Sequence, residues 1–515
     1  MSRHRLTSHG GPTADETPTR RRRAGSLAIA LVAAGSLLAA ACSGGSDEGG
    51  TTTTAKDSPA VADNCPVDAL DSASGVTEVT VWHPYNTLTK DALETAATEY
   101  NASQDKVKVS VEAQGTYPEL LKKYEDSLGD PANLPDVIFS EDTTLQYMVD
   151  SGSVIAAADC IAADPDSESF YGDLLPQVEN SYSVSGKLWA AAFGVSMPIM
   201  YINNDHLKAA GLTTDDYPGT LEEVRAVAEK IKAANIDGLE APLVMQLYGW
   251  YPENWLTGAK QEVVNENNGR AALATESEFG GDLSLEVLTW LDDMEADGLL
   301  KAYPYNSDIS HFLAMAGGSA SILIDGSRAI TTVDAVVSSS IDPAEVEGVE
   351  GVEGLETEEL KGLDISVAEV PGIDEPGKGA VWGSAAFLVA GEDDARVAGA
   401  WDFIKFFNAP AQQTQWTLKG SYLPVTKAVQ DSPEITAYFQ SSNAGKWLGV
   451  VNGQLLNLDT DFASPAIGPY NEFRAGEHSM LDDVVLGSAD PSEALEEFNS
   501  KFQDDLTRYA DEVGG

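Results

Sequence analysis

The chain has 515 residues, with 82 Asp and Glu against 31 Lys and Arg, and a formal net charge of −51. So strong a negative balance repels phosphate backbones and excludes nucleic acid as a partner. Apolar residues make up 43 % of the chain, too many for a disordered acidic protein and enough for two or three cored domains.

The N-terminus is a separate object. Arg20 to Arg23 precede an apolar and small-residue run from Ala24 to Ala41. Basic residues, a short apolar core and small residues make a secretory signal over residues 1–41. The run ends in Leu38-Ala39-Ala40-Ala41-Cys42, which resembles a bacterial lipobox with its leucine one residue early. That resemblance implies cleavage before Cys42, lipid on its thiol, and attachment to the outer face of the cell membrane. The alternative is an uncleaved membrane helix. Residues 1–42 hold six Arg and two acids; without them 25 basic and 80 acidic residues remain, a net −55. Residues 42–77 form the lipidated cysteine and a Gly-, Ser- and Thr-rich tether. With Cys42 lipidated, Cys65 and Cys160 are left as an even pair, either a disulfide in an oxidising compartment or two buried thiols.

Beyond the tether, strands and helices alternate. Residues 78–82 and 106–112 read as β-branched strands, and 88–100 and 118–128 as helices. Residues 136–140 make a third strand. Further strands follow at 199–203, 321–325 and 385–389, with helices at 221–234, 283–296, 395–407 and 491–510. This order argues an α/β fold with a parallel sheet covered by helices. Ala344 to Leu360 repeats Val-Glu-Gly and reads as an exposed acidic loop. The sequence has no phosphate-binding loop, no Gly-x-Ser-x-Gly elbow and no His-Glu-x-x-His, so nothing in it argues positively for an enzyme.

Six segments carry a family resemblance: TVWHPYN (80–86), YNASQDKVKVSVEAQGTYPELLKKY (100–124), PDVIFSEDT (135–143), FGVSMPIMYINNDHLKAAGL (193–212), GSASILIDGSRAI (318–330) and GSYLPVT (420–426). In that order they resemble the extracellular solute-binding lipoproteins of ABC importers, the group of maltose-binding and glycerol-3-phosphate-binding proteins. The resemblance implies a two-lobed periplasmic-binding-protein-like fold with the ligand in the cleft and three hinge crossings near Gly194, Ser327 and Gly383. Lobe 1 would comprise 78–194 and 327–383, and lobe 2 would comprise 195–326 and 384–512. It further implies a monomer without cofactor or metal. Such a monomer would capture a sugar, polyol or glycerophosphodiester and deliver it to a membrane permease. An extracellular carbohydrate-active enzyme and a non-transport surface receptor are the alternatives.

Sugars and polyols need flat aromatic faces with polar groups around them. Tyr248, Trp250 and Trp255 crowd one Gly- and Pro-containing segment, read as a loop that is either cleft or core. Matching family motifs residue by residue adds Tyr117, Asp142 or its neighbour Glu141, Ser196, Asp325, Ser327, Gly383 (hinge or ligand contact), Tyr422 and Arg474. Trp82, Tyr85 and Trp382 are secondary, with Trp82 better placed in a core. A guanidinium at Arg474 suits phosphate or carboxylate, or it is an internal ion-pair partner. A carboxylate at Asp325 disfavours a bare phosphomonoester and favours a neutral sugar or a zwitterionic headgroup such as a glycerophosphodiester with choline.

Overall fold

The alternating Val79 and Val81 turn inward from the first strand, and this pattern sets the middle of a sheet. The computed structural model describes residues 65–305, 307, 310–337 and 363–513. The signal, Cys42, the tether up to residue 64 and the Val-Glu-Gly repeat lie outside the described residues. In chain order the strands are β1 (Thr77–His83), β2 (Val107–Ala113), β3 (Val137–Glu141), β4 (Val154–Ile155), β5 (Ser183–Val184), β6 (Lys187–Leu188), β7 (Ala192–Ser196), β8 (Pro198–Asn203), β9 (Ala241–Gln246), β10 (Leu300–Tyr303), β11 (Ala320–Gly326), β12 (Ile365–Glu369) and β13 (Trp382–Val389). They form two larger sheets and a small β5–β6 hairpin.

The first sheet runs β2-β1-β3-β13-β4, with β7 also paired to β13. The first three strands are parallel, as the sequence pattern implies, but β13 runs antiparallel to β3, β4 and β7. The second sheet runs β10-β9-β11-β8-β12, parallel among β9, β10 and β11 and antiparallel at β8 and β12. Both sheets are therefore mixed. Helices cover them through two apolar cores. Phe139, Phe387, Trp401 and Phe407 pack around the first sheet; Leu288, Ile322, Phe473 and Phe502 pack around the second.

The second halves of the expected lobes are exchanged in part. β12 lies within 327–383, yet it pairs along β8 from Ile365↔Asn203 to Glu369↔Ile199 and so belongs to the second sheet. Its pairing covers the backbone edge that β8 would otherwise leave open. β13 and the helix Asp394–Asn408 lie within 384–512 for most of their length, yet they complete the first sheet and its core. Only later elements, the helices Tyr470–Leu481 and Pro491–Val513 and the helical segment Asp482–Gly487 between them, pack into the second core.

Local chemistry explains how the chain enters the space between the sheets. Thr116 and Glu119 form a reciprocal capping box, which starts the helix Tyr117–Ser127 immediately after β2 and fixes Tyr117 in its first turn. Gly383 sits at φ +130°, and a Cβ there would collide with the Gly194 carbonyl oxygen. Only glycine lets β13 start so close to β7.

Cys65 and Cys160 are joined in a disulfide that ties the start of the described chain to the helix Ala157–Ala163. Removing both thiols together, as Cys65→Ser with Cys160→Ser, is expected to lower unfolding free energy by about 2–5 kcal/mol. Urea unfolding of the oxidised protein and the double variant reads this directly. Equal midpoints would show that the bridge contributes nothing.

Candidate functional site

In open α/β sheets, ligands bind beyond the carboxyl ends of the parallel strands. Both sheets point such ends at one cavity of about 580 Å³. Asn86 follows β1, Tyr117 follows β2, and Glu141 and Asp142 close β3. From the second sheet, Tyr248 follows β9, while Asp325 and Gly326 end β11. β13 is antiparallel, so it is its first residues, Trp382 and Gly383, that reach the same place. The volume is that of a small-molecule site.

Of the residues singled out from sequence, Tyr117, Glu141, Asp142, Ser196, Tyr248, Trp250, Asp325, Gly383, Tyr422 and Arg474 line this cavity. Trp255 and Ser327 do not. The segment read as a loop is a helix from Trp250 to Gly258. Five residues along a helix is about 140° of rotation, so Trp255 faces away from Trp250. It is 1 % exposed and packs edge-on to Trp290 in the second core. Ser327 is fully buried at the chain crossing, where its Oγ accepts the Met197 N–H at 3.1 Å and its own N–H donates to the Met197 carbonyl at 2.8 Å. It links two crossing segments. Gly383 combines steric need with a polar contact, donating its N–H to Asp142 Oδ1 at 3.2 Å.

The secondary aromatics divide similarly. Trp82 is core, with its indole N–H donated to Glu112 at 3.2 Å. Tyr85 is buried and bonded to Ser384 Oγ at 2.7 Å. Trp382 lines the cavity. Asn254 accepts its indole N–H at 3.0 Å, and its ring meets Trp250 at 89° with centroids 6.0 Å apart. Tyr305 also lines the cavity; it stacks on Tyr248 at 5.2 Å and on His478 at 3.9 Å. The sequence reading missed Tyr305, which stands outside any aromatic-rich motif.

The charges are unevenly compensated. Tyr248 donates its hydroxyl to Glu141 at 2.9 Å, across the space between the two sheets. Burial, and then the neighbouring Glu141, hold the Asp142 carboxyl well above the ordinary carboxylate range. Asp325 is committed on both oxygens, to His311 Nε2 at 2.8 Å and to the Gly326 N–H at 2.5 Å.

Arg474 realises the internal-partner reading while still lining the cavity. Its guanidinium is 2.7 Å from fully buried Glu253, donates to the Tyr470 hydroxyl at 3.0 Å and lies 4.7 Å from the Tyr248 ring centre. Glu477, also fully buried, flanks it at 3.7 Å. Gly249 makes room, because a Cβ there would collide with Glu477 and lie 3.0 Å from Arg474 Cδ. Two buried carboxylates face one guanidinium. Burial, followed by repulsion from Glu253, pushes Glu477 well above its ordinary range, with Arg474 opposing. Left ionised, neither Glu477 oxygen has a hydrogen-bond donor. A proton on Glu477 would remove the excess charge and let one of its oxygens donate a hydrogen bond rather than need one.

Sequence comparison matches residues 95–441 to the family described as bacterial extracellular solute-binding protein. The chain belongs to this family. The binding protein is 22 % identical over 436 residues to the sn-glycerol-3-phosphate-binding periplasmic protein UgpB of Escherichia coli (strain K12), covering 83 % of this chain and 92 % of the relative. Among solved structures, the GacH receptor of Streptomyces glaucescens GLA.O, described unliganded and with acarbose and an acarbose homolog, superposes with a TM-score of 0.66 at 18 % identity. That match covers 85 % of this chain and all of the receptor. UgpB from Mycobacterium tuberculosis in complex with glycerophosphocholine gives 0.64 at 17 % identity, over 85 % of this chain and 99 % of the other. These likenesses establish the two-lobed fold of the binding protein. Among the described residues, no helix is long and apolar enough to cross a membrane.

Burial of Glu477 is expected to make the binding protein's stability depend on pH. Its folded pKa lies above the ordinary 4.5, so folding favours the proton. The associated stability is complete below about pH 4.5 and is lost as pH rises toward the folded value. Glu477→Gln keeps a neutral side chain at every pH. It is expected to unfold at a higher temperature than the natural chain in alkaline buffer, with the gap narrowing toward pH 4.5. A constant gap across thermal scans from pH 4.5 to 9 would show that Glu477 is ionised throughout.

Proposed function

We propose that this chain is the substrate-binding component of an ABC importer, and that it captures a carbohydrate or a glycerophosphodiester-type solute between its lobes. One observation carries the reading. Strand ends of two α/β sheets, and helices that follow them, bring Tyr248, Trp250 and Trp382 into a single cavity with Glu141, Asp142 and Arg474. Aromatic faces suit the C–H surfaces of a sugar or polyol, and the polar groups suit its hydroxyls. Family membership supports a binding rather than a catalytic role. The names of the relatives supply both candidate solute classes: a sugar-like compound for one, glycerol-3-phosphate and glycerophosphocholine for others. Closure of the lobes around the solute would present a single surface to the permease. The chain would work as an exported monomer held at the membrane by lipid on Cys42.

A thermal-shift screen of sugars, polyols, glycerol-3-phosphate and glycerophosphocholine tests this. A true ligand raises the unfolding temperature increasingly with its concentration. For the strongest ligand, Trp250→Ala and Tyr117→Ala are each expected to weaken binding at least about tenfold, or ~1.4 kcal/mol, by calorimetric titration. Unchanged affinity in both variants would place the ligand elsewhere. Turnover of any compound in the screen would replace the receptor reading with an enzymatic one.

A further inference from the structure

We infer that Arg328 is an oxyanion subsite, and that the solute carries a phosphate or carboxylate group that this guanidinium receives together with the Tyr117 and Tyr422 hydroxyls. This deepens the importer reading and rests on it only for the identity of the solute.

The two cavity arginines are not equivalent. Arg474 is neutralised by Glu253, with Glu477 beside it. Arg328 follows the second chain crossing, is exposed, and lines the cavity. Among the described residues it makes no hydrogen bond and no ion pair. The nearest acid in sequence that lines the cavity, Asp325, spends its two oxygens on His311 and the Gly326 N–H instead. Tyr117 and Tyr422 line the same cavity, and their hydroxyls have no hydrogen-bond partner among the described residues. Tyr422, Tyr117, Asp325 and Tyr85 all act electrostatically on Arg328, but Asp325 makes no ion pair with it and the Tyr85 hydroxyl is already bonded to Ser384. The guanidinium shares one cavity with two tyrosine hydroxyls, and among the described residues none of the three has a hydrogen-bond partner. A phosphate or carboxylate supplies what is missing, and a planar guanidinium binds either with two parallel bonds. Glu141, Tyr248, Trp250 and Trp382 line the same cavity, and this acidic and aromatic set suits a polyol or cationic end of the same solute.

The test uses the full chain in three forms: natural, Arg328→Gln and Arg328→Lys. Arg508→Gln, on the last helix and outside the cavity, controls for loss of one positive charge. The first probe is inorganic phosphate, which needs no knowledge of the solute. It is expected to raise the unfolding temperature of the natural chain and of Arg508→Gln, and to leave Arg328→Gln unmoved. The second probe is a titration series: glycerol-3-phosphate, glycerophosphocholine, glucuronate, and the neutral sugars maltose and glucose. Arg328→Gln is expected to weaken the best anionic ligand at least 30-fold and Arg328→Lys less, while any neutral ligand changes less than threefold. Glucuronate against the phosphates tells carboxylate from phosphate. Anion binding that survives Arg328→Gln within twofold overturns the subsite. So does binding of a neutral sugar alone with no phosphate effect, which leaves the importer reading standing. A phosphate effect confined to chains with Arg328, with no solute bound, supports the subsite and counts against the solute classes proposed. A ligand-free unfolding temperature for Arg328→Gln equal to the natural one ties these effects to binding rather than folding.

Discussion

Met197 and Ser327 hold each other where two segments of the chain pass between the sheets. Each donates its backbone N–H to the other, one to a carbonyl and one to a hydroxyl. β7 ends and β8 begins on either side of Met197, and β11 ends one residue before Ser327. Much of the cavity hangs from this join. Ser196, Asp325, Gly326 and Arg328 all lie within two residues of it, and Gly383 reaches the same level because β13 pairs with β7. The geometry of this part of the site is therefore set by the same few bonds that join the two segments.

Electrostatics then sorts the cavity. A charge taken from water must be paired or neutralised, and this chain uses both solutions close together. Arg474 is paired with Glu253, and burial with repulsion from Glu253 pushes the Glu477 carboxyl up, toward its neutral form. Asp142 is also pushed toward its neutral form by burial. The large surplus of acid in the composition therefore says little about the cavity, where several acids are paired or neutralised. The few basic groups carry the information, and they differ in whether they already have a partner.

The sequence shows the strands well because alternating valines in β1 and β2 state their own facing. It shows the cavity-facing ends of β3 and β11 because a turn or crossing follows each acid. Trp255 was not legible in the same way. Composition groups it with Trp250, and only the helix between them turns the two apart. Ser327 and Arg328 show the limit most clearly. They are adjacent in the chain, yet the first is fully buried as a link and the second is open to the cavity. Arg474 carries no mark of Glu253, more than two hundred residues earlier, until the fold brings them to 2.7 Å. The exchange of β12 and β13 between sheets is invisible for a related reason. Pairing partners depend on open edges, and single strands do not declare those.

The central position of β13 also orders events in time. β3 ends at residue 141 and β13 begins at residue 382, while every strand of the second sheet lies between them. A chain growing from its N-terminus therefore has all strands of the second sheet before the first can close. Until then β3 keeps an open edge, the kind of non-local pairing that slows folding and invites wrong partners. The Cys65–Cys160 bridge spans β1 to β4, strands that are all present early. Both of its cysteines precede β8, so the bridge can close without any strand of the second sheet in place.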